Sequence, residues 1–180
     1  MEREKIIFAF LVCVILAGLV FLALGAAPKQ PVAFFAYGTN LAKSAMNARA
    51  GGFINATKAE MPGYSLVFAS QDARPAEFGV ATPMQSESAN VLGALYYLTP
   101  EQLSALDKQS GAPDFYERKE VTVALPDGST VKARAYFLSG ATHPAAPSRS
   151  YYTAAQNGLK EWGYDEGSLE AAVAEAASSN

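Results

Sequence analysis

Few residue types in this chain could do chemistry. It has one cysteine and one histidine in 180 residues. Cys13 lies in an apolar N-terminal run. The rest of the chain therefore has no disulfide framework, no cysteine metal site and no cysteine nucleophile. His143 alone cannot build a multi-histidine site, and no Asp and Glu are spaced for an all-carboxylate one. Neither a metal nor a cofactor is expected. Two stretches remain. In "FFAYGTNL" (34–41) an apolar run stops at Tyr37-Gly38, and Thr39, Asn40 and Leu41 follow. Gly38 permits a turn that a side chain would forbid, and Thr39 and Asn40 can cap a following helix. A strand end feeding a helix start presents backbone N–H groups suited to a carboxylate. The same residues also fit an ordinary strand-to-helix turn. The second stretch is "LDKQSGAPDFYE" (106–117). Ser110, Asp107 and His143 are the types of a nucleophilic triad. Yet "QSG" lacks the glycine two residues before a nucleophile-elbow serine, and His143 sits in an Ala/Pro-rich stretch that reads as exposed loop.

Those residues need elements to hold them. Val32 to Ala36 reads as the first strand, and Leu41 to Ala50 as a helix closed by Gly51-Gly52. "YSLVFAS" (64–70), "VATP" (80–83) and "NVLGALYYL" (90–98) read as separate strands, with "ARPAEFG" (73–79) as a loop. Thr99 caps a helix that has Pro100 at its first position. Two alternating runs flank Asp127-Gly128, a hairpin signal. "PSRSYYTAAQNGLKEWG" and "EGSLEAAVAEAA" read as closing helices. The order predicts an α+β domain, a small mixed β-barrel with flanking helices. Tyr96, Tyr97, Tyr136 and Phe137 are expected in or on the barrel, with Trp162 and Tyr164 packing the closing helices.

Ahead of this domain, Ile6 to Ala27 carries no charge. At ~1.5 Å per residue it covers a hydrocarbon core of about 30 Å. A single transmembrane helix competes with a cleaved signal peptide, and the length favours the anchor. The expected layout is a tail (1–5), an anchor (6–27), a linker (28–31), one domain (32–177) and a short C-terminal tail (178–180). The positive-inside bias of Arg3 and Lys5 puts the domain on the extracytoplasmic side. The net charge of −3, with no basic cluster, argues against nucleic acid as partner. A homodimer is left open.

"FAYGTNL" resembles the "YGSN(L)" signature of the γ-glutamylcyclotransferase family. "GVATPMQSESANVLGALYYL", "LSALDKQSGAPDFYERKEVTV" and "PSRSYYTAAQNGLKEWGYDEGSL" are similar to its later blocks, in the family's order. The resemblance covers Val32 to about Ala177. It implies a barrel with a cavity at one end and a small γ-glutamyl compound as ligand. Tyr37, Gly38, Thr39, Asn40 and Leu41 would grip that ligand, largely through backbone N–H groups, with Tyr116 facing it and Tyr151 or Tyr152 approaching. The implied reaction is attack of the substrate's α-amine on its own γ-carbonyl, releasing 5-oxoproline without metal or cofactor. A glutamate after "LD-x-x" would move the protons.

Here that glutamate is Ser110. A serine hydroxyl has no useful pKa near neutrality. The candidate substitutes are Asp114 and Glu77. Glu87 is read in a loop, Asp107 could share a helix face with Ser110, and strand alternation turns Glu117 away from Tyr116. The expectation therefore divides. The chain is a 5-oxoproline-forming enzyme with displaced acid/base chemistry, or a silent γ-glutamyl-binding module.

Overall fold

The computed structural model describes residues 30–73 and 76–178. The apolar run read as a membrane anchor lies outside the described residues. Among the described residues, no helix is long and apolar enough to cross a membrane.

Strand β1 (Val32–Ala36) ends in a single 3₁₀ turn (Gly38–Asn40), followed by helix α1 (Lys43–Ala50). Two long strands, β2 (Asn55–Gln71) and β3 (Val80–Leu98), come next. Helix α2 (Pro100–Ser110) leads into β4 (Tyr116–Ala124) and β5 (Thr130–Leu138). Short β6 (Thr142–Pro144) precedes helices α3 (Arg149–Glu161) and α4 (Gly167–Ser178). The sheet order β3-β1-β5-β4-β2, with β2 also paired to β3, closes a five-stranded barrel, and β6 adds to the edge of β2. β1 is antiparallel to β3 and parallel to β5, which makes the barrel mixed. This bears out the barrel architecture read from the sequence.

Four readings of the elements need correction. The separate strands at 80–83 and 90–98 are one strand, β3. β2 begins at Asn55, nine residues before the predicted start. The two strands pair from Asn55↔Tyr97 to Pro62↔Asn90, then slip to Tyr64↔Gln85. Pro62-Gly63 is thus a bulge inside a continuous ribbon, although the dipeptide reads as a turn in isolation. Glu87 falls in the slipped stretch of β3, where it is exposed. His143 lies on β6 rather than in a loop.

β1 and the end of β3 are buried on both faces, so the adjacent Phe34 and Phe35, and Leu95 and Tyr96, are almost fully buried, as are Met61, Val91 and Val123. α2 starts as predicted. The Thr99 side chain accepts from Gln102 N–H, and the Gln102 side chain accepts from Thr99 N–H. Its Leu103 and Leu106 enter the core. α3, capped by Ser148, packs Ala155, Gly158 and Leu159 inward. Gly158 is required there, since a Cβ would come within 2.9 Å of Leu41 Cβ. That close approach seats α3 directly on the turn that follows β1.

Candidate functional site

A cavity of about 600 Å³ opens at one end of the barrel. One wall is the end of β1 and its turn, with Tyr37, Thr39 and Asn40. The facing wall is the C-terminal end of α2, from Lys108 to Gly111. Arg49 from α1, Tyr116 from β4, Tyr136 from β5 and Tyr151 from α3 complete the lining.

The turn is fixed from several sides. Gly38 has φ of +60°, and a Cβ there would sit 3.2 Å from both Ala81 Cβ and the Tyr151 hydroxyl. Leu41 N–H closes the turn onto Gly38 O at 3.2 Å. Leu41 itself points into the core, 1% exposed. Its carbonyl accepts from the Tyr96 hydroxyl at 2.8 Å and from Trp162 Nε1 at 2.9 Å. Tyr37, Thr39 and Asn40 therefore line the cavity, whereas Gly38 and Leu41 shape the turn from behind.

Thr39 and Asn40 do not cap α1, whose N-cap position is Ala42, without a side-chain hydrogen bond. Their oxygens turn toward a cation instead. Arg49 Nη1 donates to Thr39 O at 3.2 Å, to Thr39 Oγ1 at 3.1 Å and to Asn40 Oδ1. Sequence reading missed Arg49. The signal available was its position on the helix that follows the turn, where it folds back over residues 39 and 40.

Tyrosines form the rest of the wall. The Tyr37 hydroxyl donates to the carbonyl of Tyr136. The Tyr151 hydroxyl accepts from Ala81 N–H at 3.1 Å. Burial holds the Tyr37, Tyr116 and Tyr151 phenols above their ordinary range, and the neighbouring Tyr151 raises Tyr37 and Tyr116 further. Of the two adjacent residues left open by the sequence, Tyr151 lines the cavity. Tyr136 was expected only as a barrel residue. It lines the cavity too, with its ring centroid 5.5 Å from that of Tyr116.

Ser110 is on the cavity wall, at the last residue of α2. Among the described residues no Asp or Glu lines the cavity. Asp114 and Glu77 are both exposed and outside the lining. Glu117 lies off the cavity and pairs with Lys119 at 2.6 Å, in keeping with strand alternation. His143 Nδ1 sits 2.7 Å from Asp72 Oδ1, away from Ser110, so the triad types are not brought together. Among the described residues no group of three or more His, Cys, Asp or Glu could hold a metal.

Both walls carry a cation, Arg49 over the β1 turn and Lys108 in the last turn of α2, and among the described residues no Asp or Glu joins the lining. Such a cleft suits the carboxylate of a small acid.

A small closed mixed barrel with a polar cavity at the end of its first strand defines one fold class. A family profile described as gamma-glutamyl cyclotransferase, AIG2-like, matches residues 34–154. The chain belongs to this family. It is 29% identical over 134 residues to the gamma-glutamylcyclotransferase of Bos taurus, covering 72% of this chain and 71% of that protein. The Homo sapiens gamma-glutamylcyclotransferase is 28% identical over a stretch of the same length. A solved structure of a gamma-glutamyl cyclotransferase superposes with a TM-score of 0.68 at 27% identity, covering 78% of this chain and 86% of that one.

Proposed function

We propose that the cavity binds a small γ-glutamyl compound and that this chain cyclises it to 5-oxoproline. The observation that carries this reading is the Arg49 guanidinium held over the turn at Tyr37–Asn40, in a cavity that Lys108 also lines and that no described Asp or Glu enters, a setting that suits the substrate's α-carboxylate. The γ-glutamyl group carries that α-carboxylate and an α-ammonium on one carbon, so holding the first positions the second. Held there, its amine attacks its own γ-carbonyl. The attack is intramolecular, and the protein's main tasks are to fold the substrate and move protons. Tyr37, Gly38, Thr39, Asn40 and Leu41 form the gripping turn, Tyr116 flanks the ligand, and Ser110 occupies the position next to the reacting amine.

A second reading is favoured by the absence of any carboxylate from the described lining. In that reading the pocket binds its ligand without turning it over. The deciding experiment incubates the full chain with γ-glutamylalanine, following 5-oxoproline release and, separately, binding by calorimetry. Release with binding supports the cyclotransferase. Binding without release selects the silent module, and loss of both removes the γ-glutamyl reading. The proposal also places the domain beside a membrane through Ile6–Ala27, on the extracytoplasmic side. A mature soluble form beginning near Ala27 would replace that anchor by a signal peptide.

A further inference from the structure

Tyr136 lines the cavity beside Ser110, whose hydroxyl adjoins its phenol. The same phenol donates to Asp107 Oδ1 at 2.8 Å. Asp107 does not line the cavity. It lines a separate surface depression of about 400 Å³ together with Arg118 and Arg134. Its Oδ2 lies 3.5 Å from Arg118 Nη1. Serine, phenol and carboxylate thus stand in file from the cavity to the surface.

We propose that Asp107 is the proton acceptor and donor of the cyclisation, acting through Tyr136 and Ser110 in place of a carboxylate on the cavity wall. This rests on the cyclotransferase reading above. The substrate ammonium gives a proton to Ser110 Oγ as the serine proton passes to Tyr136 Oη and the phenolic proton to Asp107 Oδ1. The freed amine attacks the γ-carbonyl and forms the ring C–N bond. As the bond to the leaving nitrogen breaks, the stored proton returns along the same file to that nitrogen. A second passage moves the remaining ring-nitrogen proton to the departing amine. Two protons leave the attacking nitrogen, two reach the leaving nitrogen, and the protein ends unchanged.

Each member suits its place. Burial, and then the neighbouring Asp107 carboxylate, keep the Tyr136 phenol neutral well beyond the ordinary tyrosine range. It therefore passes a proton on while releasing its own, without holding a charge. Asp107 is partly exposed. Arg118 holds its second oxygen and leaves Oδ1 for the phenol. Ser110 and Tyr136 are positioning and relay groups at the cavity, and Asp107 acts through them.

The test measures 5-oxoproline release from γ-glutamylalanine by the full chain, as wild type, Tyr136→Phe and Asp107→Asn, each with and without Ser110→Glu. General acid–base catalysis is worth ~10²–10⁴-fold, so either substitution should lower kcat at least tenfold, with KM and calorimetric affinity within about twofold. With Ser110→Glu a carboxylate stands in the cavity itself, and the same substitutions should then cost less than about threefold. Wild-type kcat retained in Tyr136→Phe overturns the relay while leaving the cyclotransferase reading intact. Equal losses in both backgrounds, or losses carried by affinity, reduce Asp107 and Tyr136 to a structural clamp. A wild-type chain that binds the probe but releases no 5-oxoproline overturns the relay together with the cyclisation it serves.

Discussion

The two walls of the cavity are built differently. The β1 turn is tied by its own backbone, by Arg49, by Tyr96 and Trp162 behind Leu41, and by α3 packed against it. The end of α2 places Ser110 at the cavity with no carboxylate beside it, and the nearest acid on that helix, Asp107, faces outward. Under the proposed function the first wall holds the ligand, and the second, with Ser110 where the family resemblance places a glutamate, moves the protons. Holding and reacting are therefore separable here, and substitutions on the two walls should fail in different ways.

The largest effect is expected at the altered wall. Ser110→Glu should raise 5-oxoproline release at least about tenfold, a modest part of the ~10²–10⁴ available to a well-aimed acid/base. A loss of rate would mean that the proton path through the wall is already efficient and that the new carboxylate crowds it.

On the gripping wall, Arg49→Met should weaken γ-glutamyl binding by roughly ten- to a hundredfold. It removes charge-assisted hydrogen bonds worth about 1.5–3 kcal/mol and leaves Thr39 O and Asn40 Oδ1 without that donor. Unchanged affinity by calorimetry would show that the turn holds its shape unaided. Gly38→Val should cost about 1–2 kcal/mol from the left-handed backbone alone, with further cost from the 3.2 Å contacts to Ala81 and Tyr151. A chemical-denaturation midpoint equal to wild type would remove Gly38 from the list of constraints.

Smaller effects separate the tyrosines. Burial raises the folded-state pKa of Tyr151. A raised value means the neutral phenol stabilises the fold below its unfolded pKa of about 10, and that stability is lost as pH rises through the folded value. The melting temperature should therefore fall as pH rises above about 10, and fall less in Tyr151→Phe. Tyr152→Phe, which alters a residue outside the cavity, should leave binding unchanged. A binding loss there would bring Tyr152 into the site after all.

Much of this was legible along the chain because the signals are local. The capping residues Thr99 and Pro100 and the Asp127-Gly128 hairpin each act within a few residues of their own position. The long β2–β3 ribbon was not legible. Pro62-Gly63 looks like a turn until a partner strand fixes it as a bulge, and that partner lies across the slipped register at Tyr64↔Gln85.

The sequence by itself determined the barrel class and the turn at Gly38. Each depends on residue type, order and spacing. Only the tertiary structure decided that Arg49 folds back onto Thr39 and Asn40, that Tyr151 rather than Tyr152 reaches the cavity, and that Asp107 accepts from the Tyr136 hydroxyl. The physical reason is that hydrogen bonds depend on direction. A side chain's partner is set by the face from which its element emerges. Tyr136 and Asp107 are 29 positions apart and become neighbours only when β5 and α2 are packed into one barrel wall.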